Sequence, residues 1–416
     1  LMSISDFSFA GSGFICMSTV CFMTKTPMLA MFWRTSSDCR LASLSAAPVD
    51  LSMDAAAALP DAATRRAIAG AWGLSPQARF APLGHGLIHR TLRVRDGGRE
   101  RVLQRLNVDV FREPAQVMHN CHAVTAHLGR ERAAGRYAYA VLELLPTLAG
   151  APALVLADAS WWRMYAYLPD ARTHDTADDP ALAREAGRGF GAFARALETL
   201  PAAAIGDVIP AFHDPAARLA AFERARAADR VGRAAGCADE CAAAADYAGI
   251  VDDWRRLCAA GLPRRIVHND CKLNNILFDA DGRATCVIDL DTVMAGSLLF
   301  DFGDLVRTLV NPVAEDSTEL GRIRVRRDLF AALAAGYVEG CGPVLGALER
   351  ANLVFGARLI TGVMALRFLT DHLDGDRYFR IDGPQHNLER ARNQFALFAA
   401  LGAGADELQA LVPARA

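Results

Sequence analysis

The period of apolar positions changes several times along this chain, and those changes divide it. Residues 7–24 (FSFAGSGFICMSTVCFMT) carry no charge at all. One reading is a secretory signal or a single membrane span. Against it, the preceding LMSISD places an acid where a signal needs basic residues, and Ser, Thr and Gly interrupt the apolar run. The other reading is an upstream extension to a chain whose natural start is Met53. We adopt it, and expect residues 1–52 to be disordered or foreign to the native protein.

From Met53 the pattern becomes that of an ordered enzyme. Asp61 caps a helix over 61–74 that ends near Gly73. In 80–107, Thr91–Val94 and Val102–Leu106 alternate like two strands around an Asp96-Gly97-Gly98 turn, which predicts a hairpin. Pro114 opens a helix over 113–128. Residues 152–171 alternate apolar and aromatic positions and read as another hairpin, with Trp161 and Trp162 as sheet core. Helical spacing dominates 180–262, notably 189–200 and 217–235. A strand at 264–267 precedes a hairpin of 275–278 with 284–290. A long apolar helix, 356–380, turns at Asp374-Gly375, and 386–402 closes the chain. This order predicts an α+β fold: a small antiparallel-sheet lobe over 53–168 and a larger, mostly helical lobe over 169–416.

Composition narrows the class without naming it. At 416 residues, 52% hydrophobic and 22% charged, the chain has core enough for two lobes. A net charge of -2 supplies no basic footprint for nucleic acid and no patch for an anionic membrane, so neither is an expected partner. The ten cysteines form no C-x-x-C pair, as expected of reduced thiols in the cytoplasm. Cys237 and Cys241 lack a second ligand pair, and His119, His122 and His127 lack accompanying carboxylates, so both groups read as structural.

The chemistry concentrates in Arg265–Arg307, where HNDCKLNN is followed by a hairpin ending in Ile288-Asp289-Leu290-Asp291. A carboxylate that accepts a hydroxyl proton, an amide and a second carboxylate that hold metal, and a nearby cation are the parts a magnesium-dependent phosphoryl transfer requires. Asp270 is the candidate base, Asn275 and Asp289 the candidate metal ligands, and the hairpin brings them to one end. Asp301-Phe302-Gly303 spells a familiar metal triplet but lies farther from Asp270 than Asp289 does. We assign it to scaffold, with Asp304 and Arg307 supporting the loop. Upstream, the Gly84-His85-Gly86 turn offers backbone N–H groups to phosphates. On the following strand the expected phosphate-binding cation is Arg105 beside Gln104, for no lysine is present there.

These motifs resemble the protein-kinase-like small-molecule phosphotransferases, the superfamily of aminoglycoside, choline and homoserine kinases. The resemblance implies a bilobal kinase fold using ATP and Mg2+, with Asp270 as base and Lys272 and His268 as its catalytic neighbours. Asn275 and Asp289 would hold the metal, and Gly84, Gly86, Gln104 and Arg105 the nucleotide. VLQRLN, IDLDTVM and RFLTDHLDGDRYF look like the N-acetylhexosamine 1-kinase branch. That branch implies a sugar acceptor phosphorylated on its anomeric hydroxyl and bound by Arg367, Tyr378 and Asp291. The sequence departs from the branch at His89 and His119, both in the nucleotide lobe. Kinases of another small alcohol, or a catalytically inactive nucleotide-binding regulator, are the alternatives. Acceptor stereochemistry, nucleotide preference and oligomeric state stay open.

Overall fold

In the computed structural model, residues 59–84 and 88–415 are described. The readings for residues 1–52 and for Gly86 lie outside them. Helix α1 (Ala62–Trp72) starts where Asp61 accepts the backbone N–H of Thr64, and ends at Gly73 in the left-handed region. Its buried Ile68 and Trp72 pack on one face of an antiparallel sheet, against Leu92, Val94, Leu103, Trp162 and Met164. That sheet runs β1 (Arg79–Pro82), β2 (Arg90–Asp96), β3 (Arg99–Arg105), β6 (Trp161–Ala166) and β4 (Leu144–Leu145), with β5 (Leu154–Val155) also pairing to β6. The β2–β3 turn uses Gly97 and Gly98, both at positive φ, as a tight two-residue hairpin requires.

Helix α2 (Pro114–Ala133) lies in the chain between β3 and β4, longer than its sequence signal suggested. The helical lobe then begins with α3 (Pro180–Leu197), packed against α8 (Arg327–Cys341) at unusually close range. A Cβ at Gly336 would stand 2.0 Å from the Arg184 carbonyl oxygen, and one at Gly187 2.4 Å from that of Leu333. Only glycine permits that approach of two backbones. The helices between them in sequence are α4 (Pro215–Ala228), α5 (Ala238–Ala245), α6 (Tyr247–Ala259) and α7 (Leu298–Leu309). Three helices of note remain: α9 (Ala347–Arg350), α10 (Leu353–Asp374) and α11 (His386–Ala403).

Of the described helices, α10 alone is long and apolar enough to cross a membrane, yet 78% of its apolar window is buried inside the protein. It is the spine of the helical lobe, its buried Leu359, Val363 and Phe368 clustering with Tyr247 and Phe398 of other helices. Between the two halves lie the short strands that carry the chemistry: β7 (Arg265–Val267) pairs with β10 (Met294–Gly296), and β8 (Ile276–Phe278) pairs with β9 (Ala284–Val287). The molecule is therefore the α+β, two-lobed arrangement anticipated from the sequence.

Candidate active site

Strand β7 ends at Val267, and the chain then turns through His268 and Asn269 into Asp270. Asn269 is held at φ 63°, a left-handed conformation that a non-glycine residue keeps only when its surroundings enforce it. Here they do. The backbone N–H groups of His268 and Asn269 donate to the two carboxylate oxygens of Asp301 at 3.0 and 2.8 Å, and the Asn269 amide donates to the carbonyls of Val267, Thr292 and Met294. Asp301 is fully buried in the first turn of α7. The eye-catching triplet is scaffold, as the sequence suggested, but the residue that holds the loop is Asp301 rather than Asp304. Asp304 instead accepts from Arg307 at 2.6 Å, while its second oxygen has no partner among the described residues. Burial pushes its carboxyl up to about 6.

His268 works through other groups. Its Nδ1 accepts the Asp270 backbone N–H, so Nε2 carries the proton and donates to the Ile288 carbonyl at 2.9 Å. Phe190 and Phe193 press edge-on against the ring. The imidazole thus ties the Asp270 loop to the residue preceding Asp289. It is a positioning residue, not a catalytic one.

Asp270 meets Lys272 and Asn275 on one side. The Lys272 ammonium lies 3.0 Å from Oδ2, and the Asn275 amide donates to that oxygen at 2.9 Å and to the Asp270 carbonyl at 2.8 Å. Burial is the largest influence and acts to raise the Asp270 carboxyl, but the charge and hydrogen bond of Lys272, with the charges of His268 and Arg307, together outweigh it and hold the group below the usual carboxylate range. Asp270 is therefore ionised, and no hydrogen bond among the described residues reaches its Oδ1. Because the Asn275 N–H groups turn toward Asp270, its carbonyl oxygen is left for another ligand.

Asp289 closes the site at φ 59°, the second left-handed non-glycine residue of the catalytic segment. Burial and then the neighbouring Asp291 charge push its carboxyl upward. A carboxylate raised this way, beside a free amide oxygen, is a hard-oxygen donor set that a small divalent cation would relieve. The two residues fit Mg2+.

Three sequence expectations need correction. Arg105 does not face this site: adjacent strand residues point to opposite faces, and Gln104 occupies the inner one. Arg105 is exposed, beside Arg90 on the neighbouring strand. The cation on the inner face is Arg163 of β6, paired in register with Gln104. Nor is Asp291 open to an acceptor. It is buried, takes both Arg163 nitrogens at 2.5 and 2.9 Å, and accepts from His89 at 2.5 Å. His89, Asp289 and Asp291 converge within 4.8 Å, but Arg163 already neutralises Asp291, so that trio is not a metal cage. His268, the third, is corrected above. Gly84 does stand at positive φ, 70°, with open space where a side chain would go.

Arg367 and Tyr378 come together near His213. The Arg367 guanidinium lies over the rings of Phe212, Tyr378 and Phe379 and reaches the Tyr378 hydroxyl at 3.3 Å. The turn that presents Tyr378 is built by Asp371, which accepts three successive backbone N–H groups, from Arg377, Tyr378 and Phe379. His213 links this cluster to the base. Its Nε2–H donates to the Asn269 carbonyl, and Arg367, Arg218 and Asp270 all act on its charge. Sequence reasoning missed Arg163 and His213. Of the two, only the basic Arg163 beside two tryptophans offered a signal.

A small antiparallel sheet over a helical lobe, with an Asp-x-Lys-x-x-Asn loop facing a strand-end aspartate between them, defines a kinase-type phosphotransferase. The phosphotransferase enzyme family matches residues 79–343, and the chain belongs to it. It is a kinase. Among solved structures, a microcompartment-associated aminopropanol kinase is similar over 83% of this chain and 98% of its own, at 17% identity and a TM-score of 0.54. An aminoglycoside phosphotransferase from Alicyclobacillus acidocaldarius covers 88% and 100%, at 14% identity and 0.51. A choline/ethanolamine kinase family protein from Mesorhizobium loti covers 84% and 98%, at 18% identity and 0.50. At such identities these likenesses carry the fold, not the acceptor.

Proposed function

We propose that the chain transfers the γ-phosphoryl group of ATP to the anomeric hydroxyl of an N-acetylhexosamine. The observation that carries the chemistry is Asp270, ionised and gripped on one oxygen by Lys272 and Asn275 with the other left open. In this reading Oδ1 accepts the hydroxyl proton as the sugar oxygen forms its bond to the γ-phosphorus and the bond to the β-phosphate oxygen breaks. Lys272, bridging Asp270 and the phosphate region, stabilises the transferring group. Asn275 and Asp289 would hold Mg2+, which neutralises charge on the phosphate oxygens when bound.

The acceptor assignment rests on charge. Two guanidiniums, Arg367 and Arg218, act on His213, whose ring is bonded to the loop at Asn269. Burial and then its neighbour Arg367 push Arg218 down to about 10. Aminopropanol, which names one of the kinases above, is an amine, and a cationic amine here would meet like charge. A neutral sugar instead presents hydroxyl and acetamide acceptors to the guanidinium forks and an apolar face to Tyr378, which is 45% exposed.

The test is an ATP-consumption assay over free hexosamines, their methyl glycosides, neutral sugars, amino alcohols and an aminoglycoside. Turnover with N-acetylglucosamine or N-acetylgalactosamine, abolished when the anomeric oxygen is methylated, is the expected result. Turnover confined to amino alcohols sinks the acceptor assignment but leaves the kinase assignment standing.

A further inference from the structure

In protein kinases, a strand lysine paired with a helix glutamate must be in place together with the metal-binding aspartate. This chain has neither partner where they belong. Gln104 holds the inner strand position, and the adjoining helix α2 presents Cys121 and Asn120. What stands there instead is a buried cluster. Arg163 from β6 grips both oxygens of Asp291 and also donates through Nε and Nη2 to Gln104 at 3.0 and 2.8 Å. His89, which follows the glycine turn, takes the Asn107 backbone N–H on Nδ1 and donates from Nε2 to Asp291. From α2, the Cys121 thiol donates to Asp291 at 3.3 Å and the Asn120 amide to the Val293 carbonyl at 3.0 Å. Arg163 is 1% exposed, with every nitrogen engaged, so it has no donor left for a phosphate.

We propose that Arg163 is a positioning residue that aims Asp289 at the metal by fixing Asp291, two residues along in the short helical turn Leu290–Thr292 that Asp289 opens. The Arg163–Asp291–His89 cluster thereby couples His89, the sheet and α2 to the metal-binding segment. It does so from the opposite direction to a lysine–glutamate pair: the carboxylate belongs to the metal loop and the cation to the sheet. The inference rests on the kinase reading above, since it concerns how that site is assembled.

The experiment is calorimetric titration of the full chain with ADP, with Mg2+ and with EDTA in its place, alongside thermal melting. Arg163→Met is expected to weaken ADP binding in Mg2+ by about 10–100-fold, the usual effect of removing a group that orients a metal ligand. Binding in EDTA should be unchanged. Arg163→Met leaves Asp291 buried without its guanidinium, held only by His89 and Cys121, so a second variant, Arg163→Met with Asp291→Leu, removes the buried charge and fills its space. In that variant melting should recover toward wild type while the Mg2+-linked ADP affinity does not. A double variant that binds ADP in Mg2+ as the wild type does overturns the inference and leaves the cluster a matter of stability alone. A wild-type chain that binds no ADP under either condition overturns the kinase reading itself, and this inference with it.

Discussion

At the scale of single residues, the site works by unequal treatment of chemically similar groups. Asp270 and Asp289 are both partly buried carboxylates, yet the Lys272 ammonium lowers the first, while burial and Asp291 raise the second. One is ready to accept a proton and the other to receive a cation. Asp270→Asn keeps the shape and removes the base, so kcat should fall by about 10²–10⁴-fold with the melting temperature little changed. Steady-state kinetics beside a melting curve checks both halves of that statement.

His213 makes a different prediction. Burial pushes its imidazole down to about 3, so it is neutral in the folded chain and takes up a proton on unfolding at acidic pH. The unfolded state then binds more protons between about pH 3 and the ordinary histidine value near 6.5. Stability is complete above that window and is lost as pH falls through it, by about 1.4 kcal/mol per pH unit. Denaturant unfolding of wild type and His213→Gln from pH 7 to 4.5 should show a steeper decline for wild type. Parallel declines would exclude His213 as the cause.

At the scale of elements, two contacts decide the geometry. Asp301 sits in the first turn of α7 and accepts two consecutive backbone N–H groups from the catalytic loop. Asp301→Ala leaves both donors buried without a partner, at about 1–3 kcal/mol each. Denaturant unfolding should show that loss, and kcat should fall even though Asp301 touches no reacting atom. The other contact is between α3 and α8. Gly336→Ala forces a methyl group into the Arg184 carbonyl, and overpacking of this kind costs about 1–3 kcal/mol. Gly321→Ala, where nothing lies within 4 Å, is the control expected to be neutral.

At the scale of the whole molecule, the catalytic segment lies between the sheet, which sends Arg163 into it, and the helices, which send Asp301 and the Arg367–Tyr378 cluster. On the proposed function, acceptor selection would belong to the C-terminal helices and the turn after α10, and on the further inference metal geometry would answer to the sheet. Arg367→Met should raise the acceptor KM by roughly 10–100-fold, the equivalent of about 1.5–3 kcal/mol for a lost charge-assisted hydrogen bond, with the ATP KM nearly unchanged. Initial-rate kinetics varying each substrate in turn separates the two constants. A matching rise in the ATP KM would place Arg367 on the nucleotide side.

The sequence by itself determined what depends on neighbours along the chain. The Asp61 cap, the Gly97-Gly98 hairpin, the proline start of α2 and the glycine end of α10 all follow from local backbone preference. So does the grouping of Asp270, Lys272 and Asn275, which a short loop cannot separate. Tertiary structure alone decided which cation faces the site. Arg105 and Arg163 carry the same charge, and each lies beside the other's pairing partner on neighbouring strands. The register of β3 against β6, and the pleat that sends successive side chains to opposite faces, turns one outward and the other onto Asp291. Asp291 likewise looks like a free carboxylate in sequence. Its partners come from residues 89, 121 and 163, and only the folded chain brings those three together on it.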